Sequence, residues 1–167
     1  SGDGRFIAFQ SHAPNLVTGA VADTNGTQDI FVRDLAMGTT SLISINSGGS
    51  DSAACSGAFC GASLEAGSHA PAISEDGRYV ILNIQEGYLT NAVYYQKLDA
   101  PGAKVVEMLD DWDARYDFLG NDGETFFFKT KLDAPKERVL AIDLKRPELD
   151  NWREVIPQTD NPLESVS

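Results

Sequence analysis

A pentapeptide recurs in this chain, and the residues after it recur with it. Ser1-Gly-Asp-Gly-Arg-Phe-Ile-Ala reappears as Ser74-Glu-Asp-Gly-Arg-Tyr-Val-Ile, and a looser third copy reads Gly120-Asn-Asp-Gly-Glu-Thr-Phe-Phe. Asp-Gly favours a tight turn because glycine takes positive φ at no steric cost. The aromatic and β-branched residues that follow favour an extended chain. Each copy therefore predicts a turn that opens a strand, over residues 5–11, 78–84 and 124–131.

A second unit follows each turn. Asp29-Ile-Phe-Val-Arg-Asp-Leu, Ala92-Val-Tyr-Tyr-Gln-Lys-Leu and Arg138-Val-Leu-Ala-Ile-Asp-Leu all read as short strands. Each is followed by a turn and a further strand, over 40–46, 104–109 and 152–156. Strands at 71–74 and 115–119 precede the second and third turns. Helical periodicity is nearly absent, with room for short turns only at 18–23 and 147–152. The unit is strand, Asp-Gly turn, strand, loop, strand, turn, strand. Four short strands, repeated, are the sequence signature of a propeller blade.

The repeat is 46 residues from Gly77 to Gly123 and 73 residues from Gly4 to Gly77. The excess falls in residues 47–69, rich in Gly, Ser and Ala, and reads as a loop insertion between blades. The expected fold is all-β, a partial β-propeller of about three four-stranded blades; a β-sandwich is the alternative that matched turns at matched places disfavour. The first blade lacks its first strand, and Leu163-Glu-Ser-Val-Ser167 reads as the first strand of another. An arc cut in this way leaves unpaired edges and faces, so a partner is expected: further blades, or a second copy of the chain.

Charge narrows the partners. The formal net charge is −12, with 13 basic residues scattered among 25 acidic ones. Polyanions bind clustered Lys and Arg, so nucleic acid and anionic membrane are excluded as expected partners. No apolar run approaches the roughly 20 residues of a membrane-spanning helix.

Three groups of side chains are candidates for chemistry. Asp23-Thr-Asn-Gly-Thr-Gln-Asp29 places oxygen donors at alternating positions, which makes Asp23, Asn25 and Asp29 candidate calcium ligands. Against this, the twelfth loop position is Asp34 and not Glu, and Asx turns explain the same residues without a metal. No other cofactor is expected. Cys55 and Cys60, with four residues between them, permit a local disulfide or two free thiols. Asp110, Asp111 and Asp113 read as a solvated turn, and Phe126-Phe127-Phe128 with Tyr94-Tyr95 as strand residues alternating between packed faces. His12 and His69 read as exposed or locally bonded. No Gly-x-Ser-x-Gly elbow occurs, so no catalytic residue is assigned.

Two resemblances add to this. Residues 70–167 resemble the propeller of the prolyl oligopeptidases, a family of serine peptidases. The resemblance is carried by Ile73-Ser-Glu-Asp-Gly-Arg-Tyr-Val-Ile-Leu, Gln85-Glu-Gly, Leu109-Asp-Asp-Trp-Asp-Ala-Arg-Tyr, Phe128-Lys-Thr-Lys-Leu-Asp-Ala-Pro and Trp152-Arg-Glu-Val-Ile-Pro. Residues 1–80 are similar to the bacterial TolB-type (PD40) propeller repeat, through Asp23-Thr-Asn-Gly-Thr-Gln-Asp-Ile-Phe-Val-Arg-Asp-Leu and Ser-x-Asp-Gly-Arg. The chain thus divides into a TolB-like blade over 1–69 and prolyl-oligopeptidase-like blades over 70–167.

The first resemblance implies a seven-bladed propeller that caps an α/β-hydrolase domain, admits short proline-containing peptides and leaves the Ser-Asp-His triad to the hydrolase. It also implies a substrate-binding Arg just before a Glu-Gly pair. The matching residue here is Gln85, which donates hydrogen bonds but carries no charge. Gln85, Glu86 and Tyr88 are the implied substrate-binding candidates. The second resemblance implies a scaffold or interaction propeller that closes by self-association. The bacterial compartment stays open between periplasm and cytoplasm.

Overall fold

A computed structural model describes residues 1–17, 21, 23–26, 28–45, 67–85, 89–100, 102–164 and 166, with backbone alone at 67–69. Among these residues every strand lies in one of three antiparallel sheets. The first holds β1 (Phe6–Ser11), β2 (Asp29–Asp34) and β3 (Thr39–Leu42); the second β4 (Gly67–Ile73), β5 (Tyr79–Gln85), β6 (Asn91–Lys97) and β7 (Val106–Leu109); the third β8 (Tyr116–Asp122), β9 (Thr125–Thr130), β10 (Arg138–Asp143) and β11 (Arg153–Ile156). Within each sheet, neighbours in sequence are neighbours in space. That is the meander of a propeller blade. A single 3₁₀ turn at Leu149–Asn151 fills the connection before β11. Among the described residues no helix is long and apolar enough to cross a membrane.

The first two Asp-Gly turns agree bond for bond. Ser1 Oγ donates to Asp3 Oδ1 and Ser74 Oγ to Asp76 Oδ1, both at 2.6 Å. The same hydroxyls accept the N–H of Phe6 and of Tyr79, both at 2.9 Å. The Arg5 and Arg78 amides donate to those aspartates at 3.0 and 3.1 Å. Each arginine side chain then crosses to the carboxylate that ends the neighbouring strand segment, Arg5 to Asp34 at 2.8 Å and Arg78 to Asp99 at 3.0 Å. Within each turn every residue of Ser-x-Asp-Gly-Arg thus has a bonding role except x, whose backbone bonds to the other turn instead. The glycines sit at φ +72° and +71°, the left-handed region that a side chain disfavours. The looser third copy closes differently: Asp122 pairs with Thr125 around a two-residue turn, with Gly123 at φ +56°.

These turns also touch one another. The Gly2 N–H donates to the Glu75 carbonyl at 2.9 Å, and Asn121 Nδ2 donates to Asp76 Oδ2 at 3.2 Å. Sequence-distant copies of the motif are therefore stacked at one end of adjacent blades.

Between the sheets lies the core. In β5, Tyr79 and Ile81 pack with Val93, Phe126, Phe128 and Ile142 against the third sheet. Val80 and Leu82, pointing the other way, pack with Phe6, Ile30, Val32 and Ile43 against the first. A strand that alternates between two apolar neighbours must be apolar at every position, which explains the run Tyr-Val-Ile-Leu. Each such side chain contributes about 1.5–3 kcal/mol on burial. Phe126 is the hub, edge-on to Tyr79 at 5.0 Å, Phe118 at 5.3 Å and Tyr95 at 5.5 Å.

The outer sheets also carry apolar side chains on the faces turned away from the second sheet. On the first, Phe9 stacks on Phe31 at 5.5 Å beside Ile7, which is 49% exposed. On the third, Leu119, Phe127, Val139, Val155, Ile156 and Val166 line a groove of about 510 Å³. The expected strand over residues 163–167 does not form among the described residues: Leu163 instead donates its N–H to the Lys136 carbonyl at 3.0 Å. A strand needs a ladder partner along its length, and among the described residues of this segment the backbone bond shown is that of Leu163 to the connection before β10.

Candidate functional site

The antiparallel meander sets the chemistry-bearing candidates at one end of the blades. The Asp-Gly turns close one end. At the other, the pairs Ser11 with Asp29, Gln85 with Asn91 and Thr130 with Arg138 mark where the second strand hands over to the third. Asp29 and Asn91 are thus the same position in two successive blades, and both are buried.

Asn91 is a clamp between blades. Its Nδ2 donates to Asn83 Oδ1 at 2.9 Å and to the Tyr116 carbonyl at 3.0 Å, and its Oδ1 accepts the Tyr116 N–H at 2.7 Å. The Asn91 N–H adds a bond to the Ala114 carbonyl at 3.2 Å. One amide side chain therefore supplies both the donor and the acceptor that the first residue of β8 requires. Nothing in the composition of the chain marks Asn91 out. The one available signal was its place immediately before Ala92-Val-Tyr, where the preceding blade has Asp29 before Ile-Phe-Val.

Asp29 is bonded differently. Its Oδ1 accepts the Ser44 hydroxyl at 2.6 Å, and Ser44 Oγ in turn accepts the Ile30 N–H at 2.9 Å. Burial pushes the Asp29 carboxyl above its ordinary range. The hydrogen bonds from Ser44 and Asn25 oppose that rise, and the charge of Asp23 and its hydrogen-bonding contact with Asp29 both add to it. The three candidate calcium ligands Asp23, Asn25 and Asp29 are therefore brought together. Among the described residues, no group of three or more His, Cys, Asp and Glu side chains converges on a metal position; this cluster has two carboxylates and an amide.

Gln85 ends β5 and is half-buried. Glu86 and Tyr88, the other implied substrate-binding residues, lie outside the described residues, as do Cys55 and Cys60 and nearly all of the insertion at 47–69. The aspartates of the 110–113 loop are exposed, and His12 is exposed. The Tyr116 hydroxyl donates to Asp113 at 2.8 Å; burial, that bond and the charge of Asp113 all push the phenol up, so it stays a neutral donor. The aromatic run divides between faces as expected: Phe126 and Phe128 enter the core, and Phe127 lines the outer groove.

Three meandering sheets packed face to face, with equivalent turns stacked at one end, define an arc of a β-propeller. The chain belongs to the family described as prolyl oligopeptidase, N-terminal β-propeller domain, whose profile matches residues 66–167. It is 25% identical over 92 residues to a prolyl endopeptidase of Elizabethkingia meningoseptica, a match covering 55% of this chain and 13% of that protein. It is 28% identical over 100 residues to prolyl oligopeptidase A of Galerina marginata, covering 57% and 13% respectively. Among solved structures, apo prolyl oligopeptidase B from Galerina marginata superposes with a TM-score of 0.64 at 19% identity, over 95% of this chain and 20% of that one. The same enzyme bound to a 35mer hydrolysis and macrocyclization substrate gives 0.63 at 18% identity, over 94% and 20%. The chain thus spans about an eighth of the length of these curated relatives. The likeness of fold reaches beyond the family match into the N-terminal blade.

Proposed function

We propose that this chain is part of the substrate-gating propeller of a prolyl-oligopeptidase-like serine peptidase, acting with an α/β-hydrolase domain on short proline-containing peptides, and that it contributes no nucleophile itself. The observation that carries this reading is the family match over residues 66–167, joined to an arc whose two outer sheets carry exposed apolar side chains, Ile7 and Val155 among them. On this reading the first and third sheets pack further blades as the second sheet packs its neighbours. Gln85, Glu86 and Tyr88 contribute hydrogen bonds to a bound peptide without the charge of an Arg. The division into a TolB-like blade over 1–69 and prolyl-oligopeptidase-like blades over 70–167 belongs to the same proposal.

The test uses the purified chain and a chromogenic proline-containing peptide. No product is expected from the chain alone. Joined to the remaining blades and a hydrolase domain, it should permit cleavage of the short peptide and protect a folded protein. Hydrolysis by the chain alone would overturn the proposal. The open faces, with Ile7 49% and Val155 41% exposed, also favour a second reading: an interaction propeller closed by a second copy. Light scattering separates the two, since a discrete stable dimer is required by the second and not by the first.

A further inference from the structure

The Asp23–Asp29 cluster does something that its neighbours cannot complete. Asp29 is 2% exposed and Asp23 7% exposed, and in each the Oδ2 atom is buried with no hydrogen-bond partner. An orphaned, buried carboxylate oxygen is costly, because desolvation penalises the charge and no donor offsets it. Two of them in one cluster are costlier, since like charges repel in a poorly solvated site. The equivalent residue of the next blade shows the contrast: Asn91 uses both its amide atoms on Asn83 and Tyr116. Asp29 fills one oxygen with Ser44 and leaves the other unused.

We propose that Asp23 and Asp29, with the side-chain oxygen of Asn25 between them in sequence, hold a calcium ion at the start of β2. The donor set fits a hard cation: two carboxylate oxygens and an amide that exchanges donor for acceptor by rotating half a turn. Histidine and cysteine are absent from the cluster, which disfavours zinc. A shared proton is the competing way to remove the repulsion. It requires a carboxyl to stay protonated at neutral pH, well above the ordinary aspartate range. A divalent cation neutralises both carboxylates without that requirement. With two carboxylates only, binding belongs at the weak end of calcium sites, with a Kd on the order of 10⁻⁴–10⁻³ M.

The experiment is calorimetric titration of the chelator-treated chain with calcium chloride at neutral pH, paired with melting curves in calcium, magnesium and EDTA. A saturable heat is expected, with an upward melting shift of several degrees in millimolar calcium, a smaller one in magnesium, and full reversal by EDTA. Asp23→Asn and Asp29→Asn should each abolish the calcium shift. Neither should lower the melting temperature of the calcium-free chain, because each removes a like charge. Asp111→Asn, in the exposed loop between β7 and β8, should keep the shift and so controls for general screening of an acidic protein. No heat and no shift would overturn the proposal, as would equal shifts in Asp29→Asn and the parent chain. A calcium-insensitive chain that grows more stable as pH falls would replace it with the shared proton.

Discussion

Asn91→Ala tests the idea that one buried amide joins the second and third blades. Asn91 is 1% exposed, and its side chain makes three hydrogen bonds, two of them to the backbone of Tyr116. Truncation leaves the buried Tyr116 N–H without an acceptor, at about 1–3 kcal/mol. Loss of the two bonds donated by Nδ2 adds roughly 0.5–1.5 kcal/mol each. Allowing for partial relaxation and water at the vacated site, the expected destabilisation is about 3 kcal/mol. In a chain of this size that lowers the melting temperature by roughly 6–12 °C. Urea denaturation is the primary assay, with a reduced midpoint at unchanged slope. Asn91→Asp sharpens the test. It keeps an acceptor for Tyr116 but loses both donors and sets a carboxylate against the Asn83 and Tyr116 oxygens. It should be at least as damaging as Ala at neutral pH and recover in part as the pH falls. An Ala variant within about 1 kcal/mol of the parent, or an Asp variant indistinguishable from it, would refute the clamp.

Other substitutions follow from the same structure. Phe126→Ala, in a side chain fully buried among three edge-on rings, should cost about 3–5 kcal/mol by urea denaturation; Phe127→Ala, on the open face, should cost clearly less. Gly77→Ala and Gly4→Ala both place a side chain at positive φ, each at about 1–2 kcal/mol, but only at Gly77 does the new Cβ meet Ser1 Cβ at 3.2 Å, so Gly77→Ala should be the worse of the two in melting. Burial works against ionisation of Asp76, yet the hydrogen bonds from Ser74, the Arg78 amide and Asn121 outweigh it and hold the carboxyl below its ordinary 3.8. A depressed carboxyl contributes stability above 3.8 that is lost as pH falls through its folded value. Asp76→Asn should therefore flatten the acid limb of a stability–pH profile below about pH 4, and an unchanged limb would remove Asp76 as a contributor.

How much was legible beforehand differs between the turns and the site. Ser-x-Asp-Gly-Arg was readable because the bonds that close each turn are local: Ser74, Asp76 and Arg78 reach partners within five residues or at the end of the adjoining hairpin, and only the bonds between turns are distant. The strands were readable for the same reason, and β5, β6, β9 and β10 fall within a residue or so of their expected bounds. The segment over 163–167 has strand composition and no ladder among its described residues, since composition states a preference and a neighbour has to realise it. Asn91 was not legible because its partner Tyr116 lies 25 residues on, in another sheet.

The sequence by itself determined the unit: the turn, the two strands it joins, and the alternation that makes residues such as Tyr79 and Val80 point to opposite sides. These follow from φ preferences and a period of two, which act over a few residues. Tertiary structure decided what each side meets. It placed the third sheet against Tyr79 and the first against Val80, stacked Gly2 on Glu75 and Asn121 on Asp76, and buried Asp23 with Asp29 so that two oxygens have no donor. Packing between sheets and desolvation of a charge depend on residues far apart in the chain, and no local pattern encodes them.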